Sequence, residues 1–160
     1  MNLPCSKSDF RFLELAAKEA QKSTMKAHKH GCVAVASGKI IAKGYNHYRL
    51  TFRDNILPES SWSCHAEMEV LRKCLKANLQ KKKITLYVVR IDNYGNMHLS
   101  QPCVDCYNKM KEYSIKRVVY SVNNNETNNL AMKDFHSEFV SSGNRAMGDE
   151  RSNLQCKVIN

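Results

Sequence analysis

Four residues in two short stretches have the types and spacing of a metal-assisted hydrolytic site. Cys103 and Cys106 lie in "QPCVDC", and His65 and Glu67 lie in "SCHAEMEV". Zinc favours four ligands in a tetrahedron, and Cys-x-x-Cys delivers two thiolates from one turn. If the pair opens a helix, its i and i+3 positions put both sulfurs on one face, where the helix N-terminus stabilises thiolate charge. The spacing alone also fits a redox pair or two buried thiols, so a partner is needed. His65, at the start of another helix, is the candidate third ligand. Three protein ligands leave zinc a fourth position for water, whose pKa the metal lowers toward neutrality. A hydrolytic step also requires a group that takes the water's proton and hands it to a leaving nitrogen, and Glu67 stands two residues from His65. In a first helical turn side chains lean back toward the N-terminus, so both can reach over the helix end.

The elements around these stretches have to bring them together. Residues 9 to 22 carry Phe10, Leu13, Ala17 and Ala20 at helical spacing, and Ser6 with Asp9 forms a capping box. "GCVAVASGKIIAKGYN" reads as strands over residues 32 to 36 and 39 to 43, joined through Ser37-Gly38 as a tight antiparallel hairpin. Residues 46 to 62 show neither period and contain Pro58, so they are read as a long loop. Ala66, Val70, Leu71, Cys74 and Leu75 then define an apolar helical face that fades near Asn78, with Ser63 as a helix cap. "ITLYVVRI", residues 84 to 91, is a near-continuous apolar strand of the kind buried on both faces. A turn at "DNYGN" leads to a helix with Pro102 in its first turn and Met110 on its apolar side, followed by the strand "KRVVYSV". The order predicts an α/β fold, a three-layer α/β/α sandwich with a mixed sheet of about five strands, a hairpin and parallel βαβ crossovers. Such crossovers bring the starts of successive helices to one sheet edge, which is how His65 and the cysteine pair converge. A short helix is expected near residues 129 to 135. Residues 1–140 are read as a single domain and 141–160 as a tail of uncertain order.

Composition bounds the setting. The chain has 160 residues, 42% hydrophobic and 25% charged, which suits one globular domain with a single core. No apolar run is long enough to span a bilayer and the N-terminus has no apolar signal region, so an intracellular, cytoplasmic setting without membrane partners is expected. Seven cysteines are an odd number in a chain large for a disulfide scaffold. Cys5, Cys32, Cys64, Cys74 and Cys156 are read as packed thiols rather than ligands. A net charge of +10 favours anionic partners, covering nucleotides, RNA and DNA alike.

"CHAEM" followed by "PCVDC" resembles the cytidine deaminase-like superfamily, with its H-x-E and P-C-x-x-C signature, over roughly residues 8 to 122. The resemblance implies a zinc-dependent deaminase in which His65, Cys103 and Cys106 bind Zn²⁺ and Glu67 shuttles protons while an exocyclic amine is replaced by oxygen. It also implies that Asn46 of "GYNHY" contacts the substrate, that the Ala66 backbone N–H lies near the base, and that the enzyme is a homo-oligomer. The substrate class it suggests is a cytosine nucleoside or nucleotide, dCMP or CMP first. Deoxycytidylate deaminases usually place asparagine two positions after the glutamate, whereas Met68-Glu69 follows here. "HAEM" is closer to tRNA adenosine deaminases, so adenosine-to-inosine editing of tRNA is the alternative, and a silent nucleic-acid-binding module of the same fold is a third.

Other residues divide between bland and functional readings. A closed structural zinc site with Cys64 as fourth ligand is disfavoured, because adjacent side chains rarely point at one tetrahedral centre. His28, His30, His47, His98 and His136 lack a ligand-spaced partner, although "HKHGCV" and "NHY" could border the pocket. Arg72, Lys73, Lys76 and Lys81 to Lys83 form a basic run without interleaved aromatics, read as a solvated face. Trp62, Tyr45 and Tyr48 fit either base stacking or packing. Arg49 and Arg53 of the long loop could receive a phosphate.

Overall fold

The computed structural model describes residues 1–48 and 63–141. Arg49, Arg53, Trp62 and the tail beyond residue 141, with Cys156, lie outside the described residues. The chain begins with helix α1 (Lys7–Ala20), whose capping box is complete: Ser6 Oγ accepts from the Asp9 N–H, and the Asp9 carboxylate accepts from the Ser6 N–H. Strands β1 (Lys29–Ala36) and β2 (Lys39–Tyr45) form the expected hairpin, closed by Ser37 (φ 51°) and Gly38 (φ 74°). Two consecutive positive φ angles give the turn the twist that matches the strands it joins.

Strand β3 (His47–Tyr48), inside the stretch read as a loop, pairs with β4 (Ser63–Cys64) in a two-residue antiparallel ladder, and residues 49–62 of that stretch lie outside the described residues. Helix α2 (Ala66–Lys76) follows at once, so Ser63 is a strand residue, not the helix cap, and His65 occupies the N-cap position. The helix ends where its apolar face fades: Asn78 takes φ 56°, and the Leu79 N–H returns to the Cys74 carbonyl at 2.8 Å. Strand β5 (Ile84–Ile91) has the predicted bounds, and a short β6 (Met97–His98) folds back on its end. Helix α3 (Val104–Met110) has Cys103 as N-cap, which places Pro102 before the helix instead of in its first turn. Strand β7 (Ile115–Ser121) is followed by β8 (Thr127–Ala131), where a helix was expected; only a 3-10 turn at Met132–Asp134 is helical there.

The principal sheet runs β2-β1-β5-β7-β8, with β6 paired to β5. Only β5 and β7 are paired in parallel among the described strands; β1 lies antiparallel to both β2 and β5. Alternation along the strands sorts side chains to two faces. Val33, Val35, Tyr87, Val89 and Val119 pack against Phe12, Leu13, Ala16 and Ala20 of α1. Cys32, Ala34, Leu86, Val88, Val118 and Tyr120 pack against α2 and α3 through Val70, Leu71, Cys74, Cys106 and Met110. This is the three-layer α/β/α sandwich. The buried side of α1 is turned from the one expected: Phe10 is 52% exposed, and Asp9 and Glu19 join the inner face instead. No helix among the described residues is long and apolar enough to cross a membrane.

Candidate active site

Strand β2 runs in the same direction as β5, so the helices that follow them, α2 and α3, both start at the sheet edge where those strands end. His65 and Cys103 are therefore brought together by being the N-cap residues of facing helices. His65 Nδ1 lies 3.4 Å from Cys103 Sγ and 3.3 Å from Cys106 Sγ, and the three donor atoms all fall within 4.8 Å of one another. One imidazole nitrogen and two sulfurs converging on a point fit zinc, which takes these donor types in tetrahedral sites. Both cysteines are buried and His65 is half-buried.

The protein's own groups already separate the two thiols. The Cys103 thiol is pulled down to about 4, mainly by the hydrogen bond from Cys106 and then by His65, against the opposing effect of burial. Cys106 is pushed up by that same bond and by its burial. Burial alone would lower the His65 pKa, but Cys103 and Glu67 raise it to about 9. Glu67 is 4% exposed, and burial pushes its carboxyl up to about 7, opposed by His65 and assisted by Cys103. A buried carboxylic acid near neutrality beside a three-donor cluster can both accept and release a proton.

The other two predicted residues, Ala66 and Asn46, are both buried. Ala66 is fully buried at the first position of α2, where the earliest N–H bonded within the helix is that of Glu69 to His65 O, leaving the Ala66 N–H in the unpaired first turn. Asn46 is buried, and its side chain braces β1: Oδ1 accepts from the His30 N–H at 2.8 Å and Nδ2 donates to His28 O at 2.8 Å. Each amide atom keeps one further hydrogen-bonding position. Cys64 turns away from the donor cluster and belongs to a second group with His47 and Glu69.

Glu69 anchors that second group. Arg72 Nη2 donates to its two oxygens at 2.8 and 2.7 Å, Lys73 Nζ lies 3.7 Å away, and His47 Nε2 lies 3.6 Å away. The basic run is thus partly answered by an acid one turn earlier, and Lys73 Nζ also donates to Lys43 O of β2 at 2.7 Å. Sequence reasoning also missed a strap over α3. The Val104 N–H donates to Phe139 O at 2.7 Å, Ser137 Oγ donates to Pro102 O at 2.7 Å, and Phe135 packs on Tyr107 and Tyr120. The segment's polar, weakly periodic composition gave no signal of this. Arg90, the lone charge in the apolar strand β5, was not singled out from the sequence either.

This fold and donor set define a class of protein. Residues 6–122 match the family described as the cytidine and deoxycytidylate deaminase zinc-binding region, and the chain belongs to that family. It is 28% identical over 129 residues to a protein of Schizosaccharomyces pombe named deoxycytidylate deaminase, covering 77% of this chain and 39% of that relative's length. The fold is similar to that of dCMP deaminase from cyanophage S-TIM5 (TM-score 0.57, 24% identity, 74% of this chain and 86% of that one). It is also similar to cytidine deaminase from Burkholderia pseudomallei (TM-score 0.60, 18% identity, 82% and 98%).

Proposed function

We propose that the chain is a zinc-dependent hydrolase that deaminates a cytosine nucleoside or nucleotide, dCMP or CMP first, to the uracil product and ammonia. The observation that carries this reading is the buried Glu67 carboxyl beside the His65–Cys103–Cys106 cluster. His65, Cys103 and Cys106 would hold the zinc, whose Lewis acidity would make water nucleophilic near neutral pH. Glu67 takes a proton from the attacking water on its carboxylate oxygen and returns it to the departing amine nitrogen, so C–O bond formation and C–N cleavage balance as water in and ammonia out. The Ala66 N–H and the spare amide positions of Asn46 orient the base and sugar. The name of the S. pombe relative supports a monophosphate substrate.

Editing of adenosine in tRNA is the second reading, favoured by the charge of +10 and by Met68 after Glu67. Purified protein offered cytidine, dCMP, guanine and tRNA separately, with products read by mass spectrometry, is expected to yield dUMP; inosine without any uracil product would reverse the choice. Glu67→Gln is expected to keep one zinc per chain and lose turnover by at least about 100-fold, as removal of a general acid–base does. His65→Ala and Cys106→Ser are expected to lower zinc content itself, and unchanged metal in both would remove the site.

A further inference from the structure

Strand β5 is buried along its length except at Arg90, which is half-buried. The strand registers set its neighbours: His30 of β1 lies opposite on one side and His98 of β6 on the other. Asn46 continues the row beyond His30, its N–H donating to His30 O at 3.1 Å. The row Asn46, His30, Arg90, His98 therefore crosses the sheet at the edge where α2 and α3 begin. Cys32 and Val88 lie in the core beneath those helices. His30 and Arg90 are each two residues away on their strands and face the same side. His30 is close enough to His65 and Arg90 for both to act on its charge, after the larger effect of burial.

The other two arginines of the folded core have carboxylates: Arg72 holds Glu69 and Arg117 holds Asp9. Among the described residues the Arg90 guanidinium has none. Asp92, two residues along the chain from Arg90, is held by His98 Nε2 at 2.9 Å and by the backbone N–H groups of Tyr94 and Asn96. A half-buried guanidinium set between imidazoles, on the face and edge of the donor cluster, is matched by an anion. Cytosine and deoxyribose carry no charge to offer it; a phosphate monoester does.

We infer that Arg90, flanked by His30 and His98, binds the 5′-phosphate of the substrate and makes the site specific for a nucleoside monophosphate over the free nucleoside. This inference rests on the deaminase reading for its choice of substrate. Arg90 is the specificity-determining residue, and its planar fork suits two phosphate oxygens better than a lysine would.

The test compares kcat/KM for dCMP and deoxycytidine in the parent and in Arg90→Met, which keeps an apolar stem and removes the charge. Loss of charge-assisted hydrogen bonds is expected to lower the dCMP value by about 10- to 100-fold, with the deoxycytidine value unchanged and Arg90→Lys partly restoring dCMP. An equal fall on both substrates, or no fall on dCMP, would overturn the assignment. Faster turnover of a cytosine-containing single-stranded oligonucleotide than of dCMP, lowered alike by Arg90→Met, would assign the anion to a phosphodiester and overturn the monoester. If the parent turns over no cytosine compound, the deaminase reading fails by itself, and calorimetry on the zinc-loaded chain reads the anion site instead. Tighter binding of dUMP than of deoxyuridine, erased by Arg90→Met, sustains it; equal binding of the two by the parent removes it.

Discussion

Asp9 ties α1 to the sheet, and its charge can be removed with little change of shape. The residue is 3% exposed. Its Oδ1 accepts from Tyr87 Oη at 2.6 Å and Arg117 Nη2 at 3.0 Å, and its Oδ2 accepts from the Ser6 N–H at 2.8 Å and Ser6 Oγ at 2.9 Å. Burial alone would raise its pKa, but Arg117, Tyr87 and Ser6 outweigh it and hold the carboxyl at about 2, below the ordinary 3.8. The folded value is the lower one, so the charge stabilises the fold above about pH 4, and that stability is lost as pH falls toward 2. At about 1.4 kcal/mol per tenfold, the contribution at pH 7 is about 2 kcal/mol. Asp9→Asn removes it and strands part of the Arg117 charge, which keeps Asn129 Oδ1 at 2.9 Å and is 23% exposed. The expected cost at pH 7 is about 3 kcal/mol, at the low end for a broken buried pair because Arg117 retains a neighbour and some water. Urea unfolding of parent and variant at pH 7 and pH 3 measures the gap at each pH, cancelling the acid sensitivity of all other groups. The gap is expected to narrow by about 1 kcal/mol at pH 3. A gap under about 1 kcal/mol at pH 7, or one that does not shrink in acid, would refute the assignment of a native ionic tie.

Two further perturbations probe the layers that carry the site. A Cβ at Gly31 would overlap the Ala16 carbonyl oxygen and sit 2.5 Å from Ala20 N, both backbone atoms of α1 that no rotamer change can move. Gly31→Ala is expected to destabilise by about 3 kcal/mol or more, the upper range for overpacking, read as a fall in urea midpoint; a loss below about 1 kcal/mol would show that α1 shifts freely. Phe135, 2% exposed, joins the strap to Tyr107 of α3. Phe135→Ala is expected to cost about 3–5 kcal/mol and to weaken zinc retention against a chelator, whereas a stability loss with unchanged retention would separate the strap from the metal cluster.

What could be read from the sequence follows from how far apart the deciding partners lie. That His65 and the cysteine pair come together was legible because metal-binding chemistry restricts residue type within a few positions. Strand β5 was legible to its ends because a doubly covered strand is apolar throughout. The inner face of α1 was misread because it includes Asp9, whose burial depends on Tyr87 and Arg117, 78 and 108 residues away. Strand β8 is a polar edge strand, "TNNLA", that carries no alternation and takes its conformation from β7.

The helix starts explain the misplaced cap and also bind fold to function. Helix α1, away from the site, has a complete capping box. Helices α2 and α3 instead have His65 and Cys103 at their N-caps, neither making a side-chain cap bond, because both side chains turn to the donor cluster. An N-cap side chain contributes about 1 kcal/mol, so the site forgoes about that much at each helix. Partial compensation is visible: Glu67 and Glu69 stand in the first turn of α2, Asp105 in that of α3, and the Val104 N–H is satisfied by Phe139 O from the strap. The expectation of Ser63 as a cap applied the general preference at the place where this fold departs from it. Helix ends that break the capping rule, with metal-ligating types in the cap position, therefore mark the site as clearly as the motifs do.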